Sequence, residues 1–258
     1  MANPVLSKGF EERAAASTAV VDAGAYIPEV AVLDGSGAMT IAGTGRATAI
    51  LLAILVGGGV WGWTLVSSGA TSTPGWILAA VLGGLGIAIV TIFKPQWARV
   101  TAPLYAGVEG VVLGGISRVY ESAWDGIVVQ AVMATVIVLL VMLVLYVTRT
   151  IRVTDKTRAL IIGATLGIAV FYLVSLLLAV FGVQMPFVWD TGVLGIGFSV
   201  FVIAVAAFNL LLDFDLIERG VTRRAPAYME WYAAFGLLVT LVWLYLEILR
   251  LLSKLNSR

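Results

Sequence analysis

The sequence predicts an all-α integral membrane protein: a bundle of seven membrane-spanning helices with the last helix at its centre. Apolar residues make up 60% of the 258 positions and charged residues only 12%, with a mean hydropathy of +1.03. That is far from the balance of a water-soluble domain. Several uninterrupted apolar stretches reach the roughly 20 residues needed to cross about 30 Å of hydrocarbon. The connectors between them are too short to fold separately, so residues 45–258 read as one membrane domain.

Residues 1–44 differ in character, with Glu11, Glu12, Arg13, Pro28 and an Asp-Gly-Ser-Gly run at 34–37. No segment there is apolar for long enough to span, and no basic stretch precedes a signal-type core. This part reads as a loosely ordered cytoplasmic tail, or as a tail carrying a docked interfacial helix at 14–22. The spans then fall at 46–67, 76–94, 100–118, 126–148, 159–182, 191–214 and 229–252. Trp61, Trp63, Trp76, Trp97, Trp124 and Trp189 sit near their ends, as interfacial aromatic anchors do. Glycines recur inside the spans, at 57–59, 83–84 and 107, 110, 114 and 115. Small residues there allow close helix approach, or alternatively a hinge or widened cavity. The seventh span, FGLLVTLVWLYLEILRLL, is apolar around most of its circumference, as a helix surrounded by others must be.

Orientation follows from the lysines and arginines. Twelve of the sixteen lie in the tail or in the second, fourth and sixth connectors, which predicts a cytoplasmic N-terminus. Arg250, Lys254 and Arg258 then fall on the opposite side, against the rule.

The chain has no cysteine, so disulfides and thiolate chemistry are absent. It has no histidine, the commonest general base and transition-metal ligand. A net charge of +1 gives nothing with which to neutralise a row of phosphates, so nucleic acid is excluded as a partner. A retinal protein would need a lysine inside its last span, and Lys254 lies at the very end. Serine and metallo-type intramembrane proteases need histidine, and the GxGD-type string of a paired-aspartate protease is absent. No enzyme activity and no cofactor are expected; the partners are the bilayer and cations.

The informative residues are the acids within spans, since an ionisable group at bilayer depth is costly and rarely kept without a job. Glu109 lies near the middle of the third span. It reads either as a neutral acid hydrogen-bonded across helices or as a cation or proton site facing a cavity. Asp213 and Asp215 end the sixth span. Positions two apart on a helix point roughly 200° apart, so Asp213 is assigned to the bundle, with Asn209 extending its polar face one turn earlier. Asp215 is assigned to the interface, paired with Arg219. Glu247 is the one acid of the seventh span, and Glu230 stands just before the apolar core of that span. Arg118, Glu121, Asp125 and Asp190 read as a solvated rim, or as a vestibule that gathers cations.

The strings FNLLLDFDLIERG and LVTLVWLYLEILRLL resemble the Bax inhibitor-1 family, specifically a bacterial-type member. Asp213-Phe214-Asp215 is similar to the acidic motif ending the sixth helix of that family. Leu244-Tyr245-Leu246-Glu247 is similar to its LYLD-type motif, with glutamate where aspartate is more usual. The stretch YAGVEGVVLGGIS around Glu109 resembles the third helix of a bacterial branch.

The resemblance implies a pH-sensitive calcium leak in the bacterial plasma membrane, gated by two carboxylates, Asp213 and Glu247, that share a proton when shut. Deprotonation would make them repel and open the path. Such a site would pass or hold calcium through oxygen ligands, with protons as the second ion. A proton-coupled secondary transporter and a non-transporting membrane regulator are the alternatives. Spacing bears on the pair. If both helices ran unbroken from a turn near 221–227, Asp213 would lie about 12 Å from it and Glu247 about 30 Å. The contact therefore needs residues 226–236 to lie along or beyond the interface; otherwise Glu230 or Glu109 becomes the partner of Asp213.

Overall fold

The computed structural model describes residues 37–67, 74–181 and 190–257. The expected tail up to residue 36, the helix at 14–22 and Trp189 lie outside them, whereas residues 41–44, expected in the tail, begin the first helix. From Met39 onward the chain forms one compact unit. Its helices are α1 (Ile41–Thr64), α2 (Gly75–Phe93), α3 (Ala98–Ala123), α4 (Ile127–Val147), α5 (Asp155–Val180), α6 (Val193–Thr222) and α7 (Tyr228–Asn256). A single 3-10 turn at Pro95–Trp97 joins α2 to α3. All seven are long and apolar enough to cross a membrane.

The last helix is central, as its sequence requires. α7 packs against α1, α3, α4 and α6. Within its most apolar stretch 61% of positions are buried, against 11% for α5, which leans on α6 and turns most of its surface outward. Leu238, Leu244 and Leu249 of α7 are fully buried, and much of the main core gathers on this helix.

The glycines of α1 and α3 are packing residues. A Cβ on Gly114 would lie 1.9 Å from the Gly59 carbonyl oxygen, and one on Gly110 would lie 2.3 Å from that of Leu55. The two backbones touch, which only glycine allows at those points. α2 lies along α3 in antiparallel register, with the Thr91 hydroxyl donating to Thr101 Oγ1 at 2.8 Å.

The turn between α6 and α7 is tight. Arg224 adopts a left-handed conformation with φ 50°, the Ala225 N–H donates to the Gly220 carbonyl at 2.9 Å, and Pro226 follows. This pattern satisfies the last carbonyls of a helix and stops it abruptly. α7 then starts at Tyr228 and runs unbroken to Asn256. Residues 228–236 are thus part of the spanning helix rather than a segment lying along the interface.

Several helices outrun their apolar stretches. α6 continues eight residues past 214, carried by ion pairs of Asp215 and Glu218. α1 begins at Ile41 because Thr40 caps it, accepting from the Gly43 N–H at 2.9 Å.

Orientation remains an expectation drawn from the charges. A cysteine placed in the 68–75 connector should label with an impermeant reagent in intact cells, and one at 150–157 should not. The reverse pattern would overturn the orientation. Arg250 and Lys254, the charges against the rule, are accounted for by internal bonds described below.

Candidate functional site: buried acids around the last helix

We call the end of the bundle that carries the α6–α7 turn the basic end. There Asp215 is buried, with 9% of its surface exposed, and is held by two guanidiniums. Arg158 of α5 bonds its Oδ2, and Arg219 Nε lies 3.0 Å from the same oxygen. The expected pairing with Arg219 is present, but Asp215 is not turned to the interface. Glu218 accepts from Tyr146 and Arg149. Arg149 lies in the α4–α5 connector, and its bond to Glu218 raises its pKa further above the ordinary arginine value. Glu230 accepts from both the N–H and the hydroxyl of Thr40 at 2.9 Å, tying the start of α7 to the cap of α1.

About half a turn deeper than Asp215, and between one and two turns deeper than Glu218, Asp213 lies on the α6–α7 seam. Its Oδ1 is 3.6 Å from the point where a Cβ on Gly236 would sit, and the Thr240 hydroxyl one turn on donates to the Gly236 carbonyl at 3.2 Å. Its Oδ2 is buried without a hydrogen-bond partner. Asp213 therefore faces the bundle, as expected from its sequence position. Asn209 does not extend that face toward α7: its Nδ2 donates to Thr165 Oγ1 of α5 at 2.8 Å and to the Val205 carbonyl at 2.9 Å.

Glu247 lies seven residues beyond Thr240 on α7, or about 10 Å along the axis. It is 2% exposed. Arg250 Nη1, three residues on, donates to its Oε1 at 2.5 Å and to the Tyr172 hydroxyl at 2.8 Å. That hydroxyl donates to the same Oε1 at 2.7 Å, while Oε2 is buried without a partner. One turn further, Lys254 Nζ donates to the Gly195 carbonyl at 2.9 Å and to Ser199 Oγ at 3.0 Å.

The expected contact between Asp213 and Glu247 is thus corrected. The two acids sit at different depths, because both helices run unbroken from a tight turn. They cannot share a proton directly or jointly ligate one calcium ion. Glu109 does not replace either partner: its Oε2 faces Gly84 on the α2–α3 seam. Glu230 is engaged at Thr40. Among the described residues, no three acidic side chains gather closely enough to hold a metal ion.

A family model described as Bax inhibitor 1 like matches residues 3–257, nearly the whole chain. The chain belongs to the Bax inhibitor 1 like family. No curated protein and no solved structure matches it. In this Bax inhibitor 1 like protein the LYLE motif is answered by an arginine on its own helix and a tyrosine on α5.

Sequence reasoning did not find Tyr172, Arg158 or the internal roles of Arg250 and Lys254. The i, i+3 spacing of Glu247 and Arg250 was the available signal, since residues so spaced share a helix face. Nothing in the sequence marks Tyr172 as the third member.

Proposed function

We propose that this Bax inhibitor 1 like membrane protein is a pH-sensitive cation leak pathway, with calcium as its ion, closed in the arrangement described above. The observation that carries the reading is Asp213, a carboxyl group on the α6–α7 seam with one oxygen buried and unpartnered. A group so placed is expensive to keep for packing alone. Its two protonation states act differently on the seam. The neutral acid is compatible with closed packing against Gly236. The anion draws water and a cation to itself, and the leak rises as Asp213 loses its proton.

Glu247, Arg250 and Tyr172 form the second element, about 10 Å along α7 from Thr240. The guanidinium cancels the carboxylate and so removes the negative charge that would hold a passing cation. This is a closed lock made by an ion pair rather than by two acids. Calcium prefers oxygen ligands, and a carboxylate with freed helix carbonyls supplies them once the lock parts.

The test is calcium and potassium flux into proteoliposomes, with protein-free vesicles as the baseline. The protein should raise calcium flux above that baseline, and Glu109→Gln, on the separate α2–α3 seam, should leave its pH midpoint in place. No flux above baseline at any pH would remove the leak reading in favour of a non-transporting regulator.

A further inference from the structure

Between α1 and α4 the bundle leaves a laterally open, apolar cavity of about 410 Å3. Val60 and Trp63, Gly114 and Ser117, Val132 and Tyr245 are among the residues lining it. Its polar feature is the Ser117–Tyr245 hydroxyl pair, 2.6 Å apart. One proton is used between those two oxygens, which leaves a second for another acceptor.

Arg118 stands beside this cavity. Its guanidinium carbon lies 5.1 Å from the centroid of the Trp63 ring, which forms part of the wall. Its Nε is buried without a hydrogen-bond partner, and none of the ion pairs of the described residues includes it. The nearest acid in sequence, Glu121, accepts instead from the N–H groups of Gly126 at 2.7 Å and Val128 at 3.0 Å. The connector 68–73 reads Ser-Gly-Ala-Thr-Ser-Thr and carries no acid. Among the described residues, this partly buried cation at a membrane protein's edge thus has no ion-pair partner.

Depth identifies the anion. Trp63 is one residue from the end of α1, and Arg118 is five from the end of α3, about 7 Å along the axis. That is the level at which tryptophan anchors meet headgroups. We propose that the cavity and Arg118 form a phospholipid site, with one acyl chain in the cavity and the lipid phosphate on the guanidinium. Arginine suits the role because its donors match phosphate oxygens in pairs. The spare hydroxyl proton of Ser117 or Tyr245 lies where an acyl ester carbonyl would accept it. An apolar helix of a second copy could fill the cavity, but would leave the charge unanswered.

The site is tested by native mass spectrometry of the purified protein in detergent with added phosphatidylglycerol. Diacylglycerol of the same chains and inorganic phosphate serve as separate arms. The wild type should retain one phosphatidylglycerol per chain and neither of the other two. Arg118→Gln should weaken retention at least tenfold, and Val132→Trp, which fills the cavity from an outward-facing position, should do the same. Arg118→Lys should keep more of the binding than Arg118→Gln. Val170→Trp, on the exposed face of α5, should bind as wild type does. Thermal melting without lipid should fall only slightly in Arg118→Gln, since the stacking on Trp63 is lost but no acid loses a partner. Equal retention by Arg118→Gln and wild type, or diacylglycerol binding as well as phosphatidylglycerol, would overturn the site. Binding of inorganic phosphate alone would also overturn it, in favour of a simple anion site.

Discussion

Gly114→Leu should destabilise the protein by about 3 kcal/mol, the upper part of the range for overpacking a close contact. Even a Cβ at this position would lie 1.9 Å from the Gly59 carbonyl oxygen and 2.8 Å from the Trp63 nitrogen, both backbone atoms that no rotamer change can move. α1 must then separate from α3 along the seam where their chains are in contact. Gly83→Ala is the matching control, because a Cβ there meets nothing within 4 Å. It should be neutral or slightly stabilising, since alanine is the better helix former. Melting temperatures in detergent distinguish the two, and equal melting would show that the α1–α3 seam is looser than described.

Arg250→Met should cost about 3 to 5 kcal/mol, the usual range when one member of a buried ion pair is removed. Glu247 is 2% exposed and would lose the guanidinium while keeping the Tyr172 hydroxyl as a donor to Oε1. The double variant Glu247→Leu/Arg250→Met should recover most of that loss, because two apolar side chains replace the pair without leaving a lone charge. Denaturation in detergent measures both. A single variant as stable as wild type would mean that Glu247 and Arg250 are not coupled.

The architecture was legible because hydropathy reports directly on what a bilayer demands: seven apolar stretches became α1 to α7, and the all-round apolar seventh took the centre. Helix ends were less legible. α6 and α7 extend past their apolar windows through Asp215, Glu218, Glu230 and Lys254, whose partners come from distant parts of the chain. The candidate site divided along the same line. Asp213 and Glu247 were identified as acids within the spans from their local sequence; Glu247 is buried, and Asp213 is half-buried with one oxygen enclosed. Their partnership was inferred from a motif, whereas helical rise over the 34 positions between them already separated them once the turn proved tight. The Glu247 partners, Arg250 and Tyr172, come from the same helix and from α5. Only the first of these has a spacing a reader of the sequence could use.

The charges at the far end of α7 carry a related lesson. Arg250 and Lys254 run against the basic bias when counted as topology signals. Inside the bundle they serve Glu247, Tyr172, Ser199 and the Gly195 carbonyl, so they are structural donors there.

The most direct measurement is calcium influx into proteoliposomes over a series of pH values, wild type beside Asp213→Asn. The variant removes the titrating group and its charge but keeps nearly the same shape beside Gly236 and Thr240. If Asp213 sets the leak, wild-type flux should rise with pH as its carboxyl ionises, and the Asp213→Asn curve should be flat over the same interval. An Asp213→Asn curve with the wild-type midpoint and amplitude would contradict the account and leave the buried acids of α6 and α7 with structural roles.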